Sequence, residues 1–284
     1  MMVKLSILYD HMRWEEKALY EACRKRNIEF SMINAKNLSL ELTSDDKPEN
    51  IGDIVLQRCV EYFCGLYLTA IIENYGIRVI NSFKTLEICG NKLLNTLIFK
   101  KHNIPTPRTF VAFDIDSALE AFEKIGYPAI LKPIIGSWGR LVSLINDRTS
   151  AIVALEHREM MFPLYHVYYI QEMIKRPPRD IRVFVIGDNV PVAIYRINEN
   201  DWRTNTARGG RVERCPVTSE IRELALRAAE AVGGGVFGVD MMERDGEYIV
   251  HEINGTVEFK NTVPATGVDI PGMIIDYAIK EAKK

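Results

Sequence analysis

The 284-residue sequence predicts an α/β protein in which an N-terminal parallel sheet is followed by two smaller α+β units. Apolar runs alternate with helical patterns over residues 1–88, which is typical of a parallel sheet. Two prolines at positions 105 and 107 mark a linker. Near the C-terminus, two apolar runs flank a Glu-Arg-Asp-Gly turn and predict a β-hairpin. We therefore expect an N-terminal α/β domain (1–88), a linker helix with a central subdomain (89–174) and a C-terminal subdomain (175–284).

Composition excludes several classes of protein. Hydrophobic residues make up 47% and charged residues 26%, with a formal net charge of -2, so neither disorder nor nucleic-acid binding is indicated. No apolar run has the length of a membrane span, and the N-terminus lacks a signal-peptide pattern, so we expect a cytoplasmic protein without a membrane partner. The five cysteines and five histidines fit no zinc or disulfide pattern, and no serine-hydrolase motif occurs.

The N-terminal elements follow from the alternation of apolar runs and helical patterns. Strands are predicted over residues 3–9, 29–34, 53–58 and 78–81, and helices over residues 14–26 and 63–75. No Rossmann or P-loop glycine fingerprint occurs among them, so this domain is not the obvious phosphate site. A single polar helix is predicted over residues 85–102, before the proline linker.

The central and C-terminal segments predict two α+β units. The central unit has strands over residues 109–113, 128–132, 141–145 and 167–173, and helices over residues 116–125 and 149–161. The C-terminal unit has strands over residues 180–186 and 190–195, an arginine-rich loop over 203–214, helices over 219–232 and 272–283, and the hairpin. We find no internal repeats.

The hairpin predicts a site for a hard cation. Turning the chain at Asp245-Gly246 brings Asp240 within about one residue of register with Glu252. Glu252 and Asn254 are two residues apart, so they project from one face of the strand. Oxygen ligands of this kind suit Mg²⁺. A hairpin with a polar outer face is the simpler alternative, but the strands are otherwise apolar, and a buried carboxylate requires a cationic partner.

Two further segments have weaker signals when taken singly. Lys132 precedes the loop Pro-Ile-Ile-Gly-Ser-Trp-Gly-Arg, whose small residues could wrap a polyphosphate, although a plain hairpin turn is the commoner explanation. The strand that ends in Gln171-Glu-Met-Ile174 could contact an adenine, or could simply be a buried edge strand. The loop 203–214 contains four arginines and one acid, which suits carboxylate binding or a solvated surface.

The order of these features resembles the ATP-grasp superfamily over essentially the whole chain. The motifs are Lys92 on a helix, Lys132 before a glycine loop, Gln171-Glu-Met-Ile174, Asp180-Ile-Arg182, Arg196 through Asn205 to Gly209-Gly210, Asp240, and Glu252-x-Asn254. Within it, the chain resembles the RimK-like branch of amino-acid ligases, and most closely the ligases that join α-aminoadipate to the carrier protein LysW. The closer match is carried by the residues 136–143, 156–159, 252–261 and 266–272.

The resemblance implies ATP and Mg²⁺ as cofactors and assigns a role to each motif. For the ATP phosphates and the loop that closes over them, it implies Lys92, Lys132, Gly136, Ser137, Trp138, Gly139 and Arg182. For adenine and ribose it implies Glu172, Met173 and Ile174, and for magnesium Asp240, Glu252 and Asn254. For the transferring phosphate and the substrates it implies Arg196, Asn205, Thr206, Ala207, Arg208, Gly209 and Gly210, and for the amino-acid pocket Thr256, Val257, Glu258, Phe259 and Lys260.

The implied reaction forms an amide through an acyl phosphate, with ADP and phosphate as products. Its carboxylate is the side chain of the C-terminal glutamate of LysW, an acidic carrier, and its amine is the α-amino group of L-2-aminoadipate. A sister family uses glutamate and has a Gly-Phe pair where this chain has Asn261-Thr262, so we expect a longer pocket here. The alternatives are a glutamate–LysW or dual-specificity ligase, a ribosomal-protein S6-type or peptide ligase, and a nucleotide-binding module without activity. Family members imply a homodimer or homotetramer.

Overall fold

The computed structural model describes residues 3–44, 46–48, 50–204 and 209–284. The N-terminal domain is a parallel sheet, as the sequence predicted, and its strand order is β2-β1-β3-β4. Its elements are β1 (Lys4–Tyr9), α1 (Trp14–Lys25), β2 (Glu29–Asn34), β3 (Ile54–Gln57), α2 (Tyr62–Asn74) and β4 (Arg78–Ile80). None of the helices in these described ranges is long and apolar enough to cross a membrane.

The linker segment contains two helices where the sequence predicted one over residues 85–102. They are α3 (Phe83–Gly90) and α4 (Lys92–Lys101). Asn91 lies between them in an extended conformation, and its side-chain oxygen accepts hydrogen bonds from the backbone N–H groups of Leu93 at 3.0 Å and Leu94 at 3.3 Å. Asparagine is a favoured N-cap residue, because its side chain satisfies N–H groups that a helix leaves unpaired. The break makes Lys92 the first residue of α4.

The central subdomain is an antiparallel sheet of order β5-β8-β6-β7 covered by two helices. Its elements are β5 (Thr109–Ala112), α5 (Ile115–Ile125), β6 (Ala129–Lys132), β7 (Ser143–Ile145), α6 (Arg148–Glu159) and β8 (Tyr168–Glu172). Its buried core includes Phe122, Leu155 and Ile170, all from this subdomain.

The C-terminal subdomain is an antiparallel sheet of order β11-β10-β9-β12-β13. Its elements are β9 (Arg179–Ile186), β10 (Asn189–Ile197), β11 (Arg211–Cys215), α7 (Ser219–Ala231), β12 (Val236–Arg244), β13 (Glu247–Asn254), α8 (Thr262–Thr266) and α9 (Ile270–Glu281). The prediction of an uninterrupted loop over residues 203–214 is wrong, because β11 pairs with β10 and buries Cys215. Residues 205–208 of that loop lie outside the described residues.

The N-terminal domain and the C-terminal subdomain share one hydrophobic core. Leu5 and Ile7 of β1 belong to the same buried cluster as Phe259 and as Ile274 of α9. The Asn81 amide, which follows β4, donates to the carbonyls of Val236 and Gly255 and accepts from the Val236 N–H group. These contacts place the hairpin of β12 and β13 against the N-terminal domain.

Candidate active site

A cavity lies where the three sheets meet, and most of the residues implied by the resemblance line it. Those that line it are Lys92, Lys132, Gly136, Ser137, Trp138, Gly139, Arg182, Arg196, Asp240, Glu252, Asn254, Thr256, Val257 and Glu258. They come from the start of α4, the end of β6 and the loop after it, and the strands β9, β10, β12 and β13 with the segment that follows. The arrangement therefore gathers cationic groups, acidic groups and a glycine loop around one space.

The hairpin has the register that the sequence predicted. Asp240 pairs directly with Glu252, and Gly238 pairs with Asn254. The Asn254 amide donates to an Asp240 carboxylate oxygen at 3.3 Å. A bulge follows, because the next pair is Met241 with Val250, and this leaves His251 as the extra residue on β13. Asp240, Glu252 and Asn254 thus lie together as the hairpin argument required.

The cations that the buried Asp240 carboxylate requires are two arginines. Arg182 donates to both Asp240 oxygens at 2.8 and 2.7 Å, and Arg196 lies 3.0 Å from one of them. Burial by itself raises the pKa of Asp240, but the two guanidinium groups outweigh it and hold the pKa below its usual range. Arg196 also donates to both oxygens of Asp180 at 2.7 Å. The charges of β9, β10 and β12 therefore form one compensated network.

The two lysines line the same cavity. Lys92 donates to the Gly136 carbonyl at 2.7 Å and lies 3.3 Å from Glu252. Lys132 donates to the side-chain oxygen of Gln171 at 2.6 Å. Burial lowers the pKa of Lys132 to about 8. An anionic ligand would stabilise the charged form of this lysine.

The loop after β6 is held from both sides of the cavity. Trp138 adopts a left-handed conformation with φ of 57°, and its indole N–H donates to Glu258 at 3.4 Å. The Arg140 guanidinium lies 4.9 Å from the centre of the Trp138 ring. The contact with Glu258 joins the central subdomain to the segment that follows β13.

His251 lines the cavity, although the sequence did not indicate it. In the part of the chain that the structure describes, neither of its buried ring nitrogens has a hydrogen-bond partner. Burial lowers its pKa to about 4, so the ring is neutral at physiological pH, with one donor and one acceptor unfilled. Buried polar groups are normally paired. His251 therefore presents one donor and one acceptor to the cavity.

Several implied residues do not line the cavity. Phe259 is fully buried against Trp14, with ring centres 6.0 Å apart, and Lys260 is exposed; neither lines the described cavity, and their place in the amino-acid pocket stays a prediction. The longer pocket expected from Asn261-Thr262 finds no support in the described cavity, which neither residue lines: Asn261 is exposed, and Thr262 is buried at the start of α8. The other implied residues outside the described lining are Glu172, Met173, Ile174, Gly209 and Gly210.

Glu172 has a structural partner that accounts for its position. It accepts a hydrogen bond from the Arg108 backbone N–H at 2.7 Å and lies 3.2 Å from the Arg244 guanidinium. Its role at the adenine stays a prediction. Four implied residues, Asn205, Thr206, Ala207 and Arg208, lie outside the described residues.

The donor set fits Mg²⁺. Glu252 and Asn254 offer hard oxygen atoms from one face of β13, and the Asp240 carboxylate lies beside them, where Mg²⁺ would share it with Arg182. Mg²⁺ takes one or two carboxylates together with substrate phosphates. The lysines beside Glu252 are suited to those phosphates. The chemistry that such a site supports is phosphoryl transfer, which depends on positioning and charge neutralisation.

Comparison with known proteins agrees with this geometry. The model of the RimK-like ATP-grasp domain matches residues 89–278, and that of the LysX preATP-grasp domain matches residues 5–88. The alpha-aminoadipate–LysW ligase LysX of Saccharolobus solfataricus is 42% identical over 274 residues, which cover 96% of this chain and 99% of that protein. The glutamate–LysW ligase ArgX of Sulfolobus acidocaldarius is 34% identical and covers 97% of this chain and 98% of its own length.

A solved structure extends the likeness to the fold. The RimK domain ATP-grasp protein of Sphaerobacter thermophilus superposes with a TM-score of 0.78 at 24% identity, over 97% of this chain and 99% of that one. The N-terminal parallel sheet and the two antiparallel sheets around the cavity are therefore an ATP-grasp fold. Because the matching models and relatives span nearly the whole chain, the chain belongs to the RimK-like ATP-grasp family of ligases.

Proposed function

We propose that the chain is an ATP- and Mg²⁺-dependent ligase that joins the α-amino group of L-2-aminoadipate to the side-chain carboxylate of the C-terminal glutamate of LysW. The observation that carries the chemistry is the placement of Lys92 and Lys132 in one cavity with the Asp240–Glu252 pair. The similarity to LysX over 96% of the chain supports the choice of substrates.

The residues of the cavity suit activation of a carboxylate. Lys92 and Lys132 bind the phosphates of ATP, and Asp240, Glu252 and Asn254 hold the metal ion. Bound there, Mg²⁺ supplies charge neutralisation at the transferring phosphate. A carboxylate oxygen of the carrier attacks the γ-phosphorus, ADP leaves, and an acyl phosphate forms. The neutral amine then attacks the acyl carbon, and inorganic phosphate leaves as the amide forms.

The charge of the cavity favours anionic substrates. Its described lining contains eight arginines and lysines and four aspartates and glutamates. An excess of cations in a concave site attracts polyanions and raises their rate of association. A nucleotide triphosphate and a carboxylate-bearing carrier tail both fit this excess.

A glutamate–LysW ligase is the second candidate. It is favoured by the relative at 34% identity and by the position of Asn261 and Thr262, which do not line the cavity and so do not lengthen it. One methylene is worth only about 1–3 kcal/mol of discrimination in an apolar pocket, so the two amino acids must be compared directly.

The test is a competition assay with both amino acids at equal concentration, together with ATP, Mg²⁺ and LysW. We expect the mass of the carrier to increase by the aminoadipate residue, with ADP formed in equal amount. A reaction without LysW measures uncoupled ATP hydrolysis. A product dominated by the glutamate adduct would favour the second candidate, and ATP binding without product would favour the module without activity.

A further inference from the structure

We infer that Glu258 and Arg13 bind the α-ammonium and α-carboxylate groups of the free amino acid, at the end of the cavity formed by the N-terminal domain. This inference rests on the proposed function and adds Arg13 to the site. Both residues line the cavity, although they are 245 positions apart in the chain.

Glu258 is held at the cavity wall but stays accessible. One carboxylate oxygen accepts from the Arg13 guanidinium at 3.0 Å, and the other accepts from the Trp138 indole N–H at 3.4 Å. Its side chain is 37% exposed. A carboxylate has about four acceptor positions, so two donors leave room for an ammonium group.

Arg13 is fixed in its orientation by Glu16. Its Nε and Nη2 atoms donate to the fully buried Glu16 carboxylate at 3.1 and 2.8 Å. The remaining nitrogen, Nη1, is the one that donates to Glu258. It carries two hydrogens, so one stays free for a ligand carboxylate. A guanidinium held in this way loses little side-chain entropy on binding.

The pair is complementary to an α-amino acid. Such a molecule has its ammonium and carboxylate groups on one carbon atom, and Glu258 and Arg13 present the opposite charges 3.0 Å apart. Charge at this wall also favours an ammonium group. Behind the wall, the buried Glu16 pairs with Arg13 and Arg58, and the buried Glu15 lies near both, so that with Glu258 this group has three acids and two bases. Arg13 and Glu258 are its members that line the cavity. The remaining lining of the cavity is cationic instead.

The location also suits the reaction. Trp138, which donates to Glu258, belongs to the same loop as Gly136, whose carbonyl accepts from Lys92. An amine bound at Glu258 therefore lies beside the loop that faces the phosphates. The amine has to approach the activated carboxylate at this place.

The experiment compares two ligands and two variants. L-2-Aminoadipate is compared with 5-aminopentanoate, which has the same amine and distal carboxylate but no α-carboxylate. We expect Glu258→Gln to raise KM for aminoadipate at least about tenfold, because a charged hydrogen bond is lost, while KM for ATP stays within about twofold. We expect Arg13→Lys to reduce the preference for aminoadipate over 5-aminopentanoate at least about tenfold.

Matched controls are Glu247→Gln, at an exposed position of β13, and Arg24→Lys, at an exposed position of α1. Both should behave as the unmodified protein does. Thermal midpoints identify any variant that fails to fold. If Arg13→Lys does not fold, the inference is tested by Glu258→Gln alone, which preserves the shape of the side chain. Unchanged KM for aminoadipate in Glu258→Gln overturns the inference, as does an equal rise in KM for ATP. Absence of an aminoadipate adduct with the unmodified protein rejects the proposed function instead.

Discussion

At the scale of single residues, Asp240 and Glu252 differ although both are proposed metal ligands. Asp240 is 2% exposed and compensates the charges of Arg182 and Arg196. Glu252 has Lys92 at 3.3 Å and faces the lysine side of the cavity. Removing one partner of a buried ion pair leaves a buried charge uncompensated, which costs about 3–5 kcal/mol. Asp240, which is more deeply buried and compensates two arginines, should therefore contribute more to stability than Glu252, whose side chain is 21% exposed.

We expect Asp240→Asn to lower the free energy of unfolding by about 3–5 kcal/mol, and Glu252→Gln to stop ADP formation with little loss of stability. Because the pKa of Asp240 is lowered in the folded state, its stabilisation is present above the unfolded pKa of about 3.9 and is lost as pH falls through the folded value. Asp240→Asn should therefore reduce the dependence of stability on pH in the acid range. Urea unfolding at several pH values and a coupled ADP assay measure both effects. Equal stability of the two variants would contradict the distinction.

At the scale of elements, the sequence predicts what depends on local patterns. The period of two along β12 and β13 predicted that Asp240, Glu252 and Asn254 converge, and they do. It could not predict that His251 lines the cavity, because a bulge does not change the pattern of residue types. The Arg13–Glu258 contact depends on packing between domains, which no local signal records.

The break between α3 and α4 was missed for a different reason. Good helix formers lie further out on both sides, but Gly90 and Asn91 together are the local signal for one helix to end and another to begin, and the single-helix prediction passed over it. The cap has a functional consequence. It makes Lys92 the first residue of α4, where the Lys92 backbone N–H donates to the Ile134 carbonyl at 2.8 Å. The position of the lysine therefore depends on the cap.

We expect Asn91→Ala to cost about 1 kcal/mol of stability and, because Lys92 is displaced, to raise KM for ATP at least about tenfold. Asn91→Ser should retain most of both properties. The matched control is Asp114→Ala, which removes the N-cap of α5, where the carboxylate accepts from the Ser117 N–H at 2.9 Å. This control should lose similar stability without a change in KM for ATP. Steady-state kinetics measure KM for ATP, and thermal unfolding measures stability. An equal rise in KM in Asn91→Ala and Asp114→Ala would show that the Asn91 cap has no specific effect on the position of Lys92.

At the scale of the whole molecule, the three sheets do not correspond to three independent cores. The cluster that contains Leu5 and Ile7 of the N-terminal sheet also contains Ile274 of α9, near the end of the chain. The central subdomain has a cluster composed only of its own residues, among them Leu155. Arg26, which follows α1, also forms ion pairs with Asp269 at 3.2 Å and Asp276 at 2.7 Å, and these add to the packing of the N-terminal domain against α9. The N-terminal domain and α9 should consequently open together, and the central subdomain separately.

Hydrogen exchange measured by mass spectrometry tests this coupling. Ile274→Ala and Leu155→Ala each remove a fully buried side chain, and such changes cost about 2–5 kcal/mol. We expect Ile274→Ala to accelerate exchange in β1 and β3, although more than 200 residues separate them from the substitution in the sequence. Exchange in β6 and β8 should stay as in the unmodified protein, and Leu155→Ala should produce the reverse pattern. Faster hydrogen exchange in all three sheets with either variant would mean that the molecule opens as one unit. In that case the central subdomain could not move over bound ATP without loosening the sheets that hold the amino acid.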